Sequence, residues 1–313
     1  MATSYVLVFP GQGAQVVGMG KDIAAALPEV RAMFERADAL LGIPLSKTMF
    51  EGPDTALVDT AVQQPALVLS GLAIMRAIEI HKGITLSCVA AAGLSLGEYA
   101  ALSAVGALSL EEALKLVRKR GELMKMASEK FPCGMAVVMN LEPAKIQAAC
   151  EQAAKETNAV VSASNFNGGG QIVIGGALDA LARASELCKT AGAKRVMKLP
   201  VAGAFHTALM QPAADAFNPV LDAAAIAPAT APVYANVSAS AVTAPDQIRD
   251  ALKRQITSPV RWEQTIQNIV AAGHTKFLEL GPGSTVSNMI KRIAPTAECK
   301  AVSTWADVEK FEL

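Results

Sequence analysis

Runs and alternations of apolar residues divide this chain into strands and helices in regular succession. Residues 5–9, Tyr-Val-Leu-Val-Phe, form a short unbroken apolar run, the pattern of a buried strand. It ends in a glycine-rich loop, Pro10-Gly11-Gln12-Gly13-Ala14-Gln15. Helical spacing over 28–41 stops at Gly42. Residues 65–81 are apolar on every side, which predicts a buried helix closed by Gly83. A second apolar strand, 86–92, runs through Gly93-Leu94-Ser95-Leu96-Gly97 into a helix-forming stretch at 98–108. Ser109 and Glu112 have capping-box spacing at the head of another helix, which ends near residue 126.

The pattern changes at residue 134. Strand 134–140, helix 143–156, strands 159–165 and 171–176, helix 178–191 and strand 194–200 follow one another. That order, β-α-β-β-α-β, is the split βαβ arrangement of a ferredoxin-like unit. The α/β pattern then resumes: helix 208–225, strand 233–236, helices 246–256 and 262–272, and strand 276–280. The turn Gly281-Pro282-Gly283 leads into a helix at 284, and a last strand covers 299–303. The expectation is an α/β fold. An α/β-hydrolase-like body with a mostly parallel sheet and a nucleophile elbow takes residues 1–130 and 201–313. A ferredoxin-like subdomain is inserted at 131–200.

Composition then removes several functions. The 313 residues are 52% hydrophobic, enough for a large core. The formal net charge is zero, so no bulk charge draws the chain to nucleic acid or to an anionic membrane. No stretch approaches the roughly eighteen uninterrupted apolar residues of a membrane span. The five cysteines, Cys88, Cys133, Cys150, Cys188 and Cys299, are scattered and form no C-x-x-C pair. That argues for a reducing compartment and against disulfides or a zinc site; no metal is expected. The first residues carry no basic segment of a secretory signal. The expected location is the cytoplasm, with the plastid stroma as the alternative.

Candidate chemistry begins at Ser95. Gly-x-Ser-x-Gly between a strand and a helix is the setting of a nucleophile elbow, in which the following helix turns its N–H groups towards a developing oxyanion. The plainer reading is a serine capping an ordinary helix. A nucleophilic serine needs a base, and the chain has three histidines. His81 lies at a helix end and His274 in a helix-to-strand connection. His206, in Gly203-Ala204-Phe205-His206-Thr207, sits where the chain returns to the main body and is the best base. No acidic residue between Ser95 and His206 stands out at a strand end; Glu151 and Asp179 read as exposed helix positions. The expectation is a Ser–His dyad with the imidazole oriented by a backbone carbonyl. The loop after the first strand lacks the spacing and the Lys-Ser/Thr of a phosphate cradle, but Gln12 or Gln15 would place an amide donor near a site. Arg118 and Arg120 share one helix, and the residue pattern does not separate them.

Taken together and in order, these stretches resemble the malonyl-CoA:acyl carrier protein transacylases over essentially the whole chain. The matching motifs are Phe9-Pro-Gly-Gln-Gly-Ala-Gln15, Gln64-Pro-Ala-Leu67, Gly93-Leu-Ser-Leu-Gly-Glu-Tyr99, Arg120-Gly121 with Met124 beyond, and Asn165-Phe-Asn167. Gly203-Ala-Phe-His206, Gln255 with Ser258-Pro-Val-Arg-Trp262, and Glu279-Leu-Gly-Pro-Gly283 complete the set. The resemblance implies that Ser95 carries a malonyl ester and that His206 is general base and then acid. It implies that Gln255 orients His206 through its main-chain carbonyl, and that the N–H groups of Gln12 and Leu96 form the oxyanion hole. Arg120 would hold the free malonyl carboxylate, a task for a bidentate guanidinium. Leu94, Met124, Asn165 and Phe205 would line the pocket, and Lys194 and Arg195 would meet the anionic groups of coenzyme A. Leu94 is a departure, since many members have histidine there, and it bears on acyl selectivity. The implied partners are malonyl-CoA and acyl carrier protein, acting on a monomer without a cofactor, in fatty acid biosynthesis. Competing readings are a serine esterase or thioesterase, an acyltransferase for other extender units, and an assembly protein without activity.

Overall fold

A computed structural model describes residues 4–201 and 203–312. The first three residues, on which the reading of the N-terminus rests in part, lie outside it.

The described strands are β1 (Tyr5–Phe9), β2 (Cys88–Gly93), β3 (Cys133–Met139), β4 (Val161–Gly168) and β5 (Gln171–Ala177). They continue with β6 (Arg195–Lys198), β7 (Val233–Tyr234), β8 (Ala241–Val242), β9 (Lys276–Leu280) and β10 (Glu298–Val302). Six of them make one sheet in the order β10-β9-β1-β2-β7-β8, parallel except for the edge hairpin β7–β8. β1 is buried at all five positions in the middle of this sheet, as its unbroken apolar run requires. The other four strands make a separate antiparallel sheet in the order β4-β5-β3-β6. Ala136, Val138, Ile172 and Ile174 on one face of it share a core with the helices Pro143–Thr157 and Leu178–Thr190. Met135, Val137 and Val173 on the opposite face belong to the core of the main sheet. β4 is tied to the main body by Phe166 N–H donating to Val260 O at 2.8 Å and Val260 N–H donating to Ser164 O at 2.9 Å.

The long apolar helix begins at Thr60 rather than at Pro65 and runs to Lys82. Asp59 caps it by accepting from Ala61 N–H at 2.9 Å. Pro65 lies inside the helix and has no N–H for Ala61 O. The guanidinium of Arg118 takes that carbonyl instead, at 2.9 Å. By length and composition this helix would pass for a membrane span, but 83% of its apolar window is buried within the fold. The helix Leu110–Glu129 crosses it so closely that a Cβ on Gly121 would lie 2.5 Å from Thr60 O. Of the capping box expected at its head, Ser109 accepts from Glu112 N–H at 3.0 Å. The helix expected at 98–108 is shorter, Gly97–Ala104. Among the elements not expected are the short helices Lys21–Ala26, Leu45–Glu51, Asp54–Leu57 and Trp305–Lys310.

The loops that follow β1, β2, β7 and β9 all leave from the carboxyl ends of parallel strands. That is where open α/β sheets build their sites.

Candidate active site

Ser95 follows β2 with φ +52°, in the left-handed region that side chains other than glycine seldom occupy. The turn is tight because each of its flanking glycines sits directly against neighbouring backbone. A Cβ on Gly93 would lie 2.1 Å from the carbonyl of Gly97, and one on Gly97 would lie 2.6 Å from Phe9 O. His206 sits at a second left-handed position, φ +61°. Two residues held in strained backbone and facing each other mark a site whose surroundings over-determine it.

Ser95 Oγ lies 2.8 Å from His206 Nε2, and His206 Nδ1 lies 2.9 Å from the main-chain oxygen of Gln255. A carbonyl oxygen only accepts, so Nδ1 carries the proton and Nε2 is left to accept from the serine hydroxyl. Burial, with the Arg120 charge beside it, holds the imidazole pKa down at about 4. His206 is therefore a neutral base at pH 7. His81 is exposed with its ring 5.0 Å from that of Trp305, and His274 is half-buried in its connection; neither lines the site.

Arg120 is 1% exposed. Its Nη1 donates to Gln64 Oε1 at 2.8 Å, and its Nη2 donates to Ser95 Oγ at 2.9 Å and to Gln255 Oε1 at 3.0 Å. Its guanidinium lies 5.7 Å from the centre of the Tyr99 ring. Every hydrogen-bond partner it has is a neutral oxygen, and among the described residues no carboxylate lies within ion-pair distance. A buried cation without an ion pair is costly, and its environment pushes its pKa down. Arg118, by contrast, pairs with Glu122 at 2.8 Å and caps Ala61 O, away from Ser95. The structure thus separates the two arginines that the residue pattern left equivalent.

Two side chains hold the nucleophile's own peptide groups. Asn236 Oδ1 accepts from Ser95 N–H at 2.7 Å, and Asn236 Nδ2 donates to Gly93 O at 2.8 Å. Gln255 Nε2 donates to Ser95 O at 3.0 Å and to Glu98 Oε2 at 2.7 Å. Glu98 is buried, and desolvation raises its carboxyl to about 7. Among the described residues the N–H groups of Gln12 and Leu96 have no acceptor within the chain, and both residues line the cavity beside Ser95. In the same loop Gln15 does not line the cavity; its Oε1 accepts from Gly13 N–H at 2.8 Å within the loop itself.

The cavity, of about 240 Å³, lies between the main sheet and the antiparallel one. Leu94, Met124, Asn165 and Phe205 line it with Ser95, Arg120 and His206. Lys194 and Arg195 do not. They lie exposed at the outer end of β6, an edge strand, and only the later residues Leu199 and Val201 of that segment reach the cavity. Glu98 and Asn236 were not singled out from the sequence. An acidic residue in the first turn of a helix reads as a partner of the helix dipole, and an asparagine after a short strand reads as a turn. Among the described residues no three His, Cys, Asp or Glu side chains are grouped to hold a metal.

The motif Glu279-Leu-Gly-Pro-Gly283 has a structural explanation. Buried Glu279 accepts from the N–H groups of Val286 at 3.0 Å and Ser287 at 2.7 Å, and so caps the helix Thr285–Ile293 beside the cavity.

A half-buried serine thus faces a buried imidazole and a buried cation at the carboxyl edge of a mostly parallel sheet. The chain belongs to the acyl transferase domain family, whose model matches residues 6–308. It is 40% identical over 306 residues to the malonyl CoA-acyl carrier protein transacylase of Bacillus subtilis, covering 98% of this chain and 94% of that one. An acyl carrier protein S-malonyltransferase of Vibrio cholerae, solved by crystallography, superposes with a TM-score of 0.94 at 40% identity, covering 99% of this chain and all of the other. A malonyl-transacylase solved in complex with its type II polyketide acyl carrier protein superposes with a TM-score of 0.93 at 38% identity, covering 98% of each chain.

Proposed function

We propose that this protein transfers malonyl from malonyl-CoA to the phosphopantetheine thiol of acyl carrier protein, through a malonyl ester on Ser95. The observation that carries the reading is Arg120, a buried guanidinium with no carboxylate of its own, 2.9 Å from Ser95 Oγ. The free carboxylate of a malonyl group supplies the missing anion at the position where an acyl group on Ser95 extends. An esterase for simple esters has no use for that cation.

The steps follow from the geometry. Ser95 Oγ attacks the thioester carbon while its proton passes to His206 Nε2, and Gln255 O stabilises the imidazolium through Nδ1–H. The N–H groups of Gln12 and Leu96 receive the oxyanion; removing one such donor costs on the order of 3 kcal/mol in well-studied enzymes. The carbon–sulfur bond breaks, and the coenzyme A sulfur leaves with the proton from His206. In the second half His206 takes the proton of the carrier's thiol, the sulfur attacks the ester, and the same proton returns to Ser95. One thioester is exchanged for another, so exclusion of water decides the yield. Every group used belongs to the chain or its substrates, and no cofactor enters.

The turn at Ser95 is read here as a nucleophile elbow of the hydrolase type, supported by its strand–turn–helix setting and by two glycines packed directly against backbone. Residues 131–200 are read as a ferredoxin-like subdomain and the rest as the catalytic body. The second–third–first–fourth strand order of the antiparallel sheet supports this. Lys194 and Arg195 have no part in the reading. The relative solved with its carrier protein supports the acceptor, and the bacterial malonyl CoA-acyl carrier protein transacylases support the donor; fatty acid synthesis in the cytoplasm is the setting we infer for the reaction.

Initial-rate kinetics with malonyl-CoA and phosphopantetheinylated carrier protein test the reading. Parallel double-reciprocal lines and a malonyl-carrier product are expected. Release of free malonate at the same rate with and without carrier would overturn it.

A further inference from the structure

Ser95 keeps its left-handed backbone because both of its peptide groups are held, N–H by Asn236 and C=O by Gln255. Each holder ends on the same atom. Glu98 Oε2 accepts from Gln255 Nε2 at 2.7 Å and from the main-chain N–H of Asn236 at 3.1 Å. We propose that Glu98 is a positioning residue for the nucleophile, and that its Oε2 is the single acceptor locking Asn236 and Gln255 onto the two peptide groups of Ser95.

The consequences reach past the serine. With Nε2 of Gln255 committed to Glu98 and Ser95, the amide has one orientation, and its Oε1 is turned to Arg120 Nη2. The main-chain oxygen of the same Gln255 faces His206 Nδ1. One buried oxygen therefore registers the nucleophile, the partner of the base and a partner of the cation. Glu98 itself is fixed by the fold: it lies in the first turn of the helix Gly97–Ala104, whose start is set against β1 by Gly97. Glu98 does not line the cavity, so its effect on chemistry passes through Asn236 and Gln255.

The role needs an acceptor oxygen at the end of a glutamyl-length side chain and does not need a charge. A glutamine carbonyl accepts two hydrogen bonds at that place. An aspartate keeps the charge but withdraws the oxygen by one methylene. A leucine leaves both donors without a partner. The proposal therefore ranks the variants Glu98→Gln, then Glu98→Asp, then Glu98→Leu, whereas a role for the charge ranks aspartate above glutamine.

The experiment measures two quantities on the folded protein. One is kcat and KM for malonyl transfer. The other is the rate at which a small alkyl fluorophosphonate modifies Ser95, which reads the serine without any malonyl group. Glu98→Gln is expected within about threefold of the wild type in both. Glu98→Asp is expected to lose about tenfold and Glu98→Leu about 100-fold in kcat and in phosphonylation rate, the scale of a small misplacement of a reacting group. KM should stay within about threefold, because Arg120 keeps Gln64. Equal rates in all four proteins, or aspartate above glutamine, would overturn the proposal. Should the leucine variant fail to fold, the order of glutamine and aspartate still decides. The proposal takes the serine chemistry from the proposed function but not its substrate. If the wild type is phosphonylated yet never accepts malonyl, the substrate reading falls while the ranking still tests Glu98.

Discussion

Arg120 Nη2 donates to Ser95 Oγ at 2.9 Å, so the cation meets the nucleophile before any acyl group does. The same Oγ faces His206 Nε2 at 2.8 Å. A cation on that oxygen favours the alkoxide and disfavours an imidazolium next to it. In the proposed reaction the malonyl carboxylate pairs with Arg120 and offsets both effects of its charge.

Replacing Arg120 by glutamine keeps a hydrogen-bonding side chain and removes the charge. The loss of one charge-assisted contact to a buried carboxylate, about 3 kcal/mol, predicts a fall of about 100-fold in kcat/KM for malonyl-CoA. Loading from acetyl-CoA should change far less, so the ratio of the two rates collapses. Single-turnover acylation with each thioester measures it.

Arg118 has a different task on the same helix. Arg118→Met removes the donor that replaces the missing N–H of Pro65 at Ala61 O. Urea unfolding is expected to show a loss of about 1 kcal/mol, with acylation rates unchanged. A loss of activity like that of the Arg120 variant would contradict the separation of the two.

The depressed pKa of His206 sets the acid limit of acylation. Burial and the Arg120 charge both oppose protonation, so the base stays free as pH falls from 6.5 towards about 4. The rate of Ser95 acylation is predicted to hold between pH 7 and 5 and to fall only near pH 4. An inflection at the ordinary histidine value, about 6.5, would contradict the buried geometry. Glu98→Gln should leave this limb in place.

Gly93→Ala puts a methyl group 2.1 Å from the backbone of Gly97, where no flexible side chain can yield. A destabilisation of at least about 3 kcal/mol and loss of acylation are predicted. Gly83, also a turn glycine, closes the helix Thr60–Lys82 with φ +64° and open space around it. Gly83→Ala should cost only about 1 kcal/mol and leave activity intact. Chemical denaturation of the two variants side by side measures the contrast.

Much of this arrangement was legible along the chain. Unbroken apolar runs announce β1 and β2 because both are buried in a parallel sheet, and the β-α-β-β-α-β order is carried by clear alternation and turn residues. The helix start at Thr60 was not, because Pro65 is a strong break signal and its compensation, Arg118, lies 53 positions away. Short helices such as Asp54–Leu57 have too few turns to show a period. At the site, Ser95 and His206 stand out by residue type and setting. Glu98 and Asn236 do not, since a buried carboxyl and a turn asparagine acquire meaning only when Gln255, 157 positions beyond Glu98, folds against them. Lys194 and Arg195 were implied as coenzyme A contacts by their charge and their place on the last strand of the inserted unit; both are exposed there and neither lines the cavity.

The most direct test of the account is the intact mass of the protein after brief exposure to malonyl-CoA without carrier protein, with acetyl-CoA and Ser95→Ala in parallel. The account predicts one malonyl increment on the wild type, little or none from acetyl-CoA, and none on Ser95→Ala. A malonyl increment that persists in Ser95→Ala would contradict it.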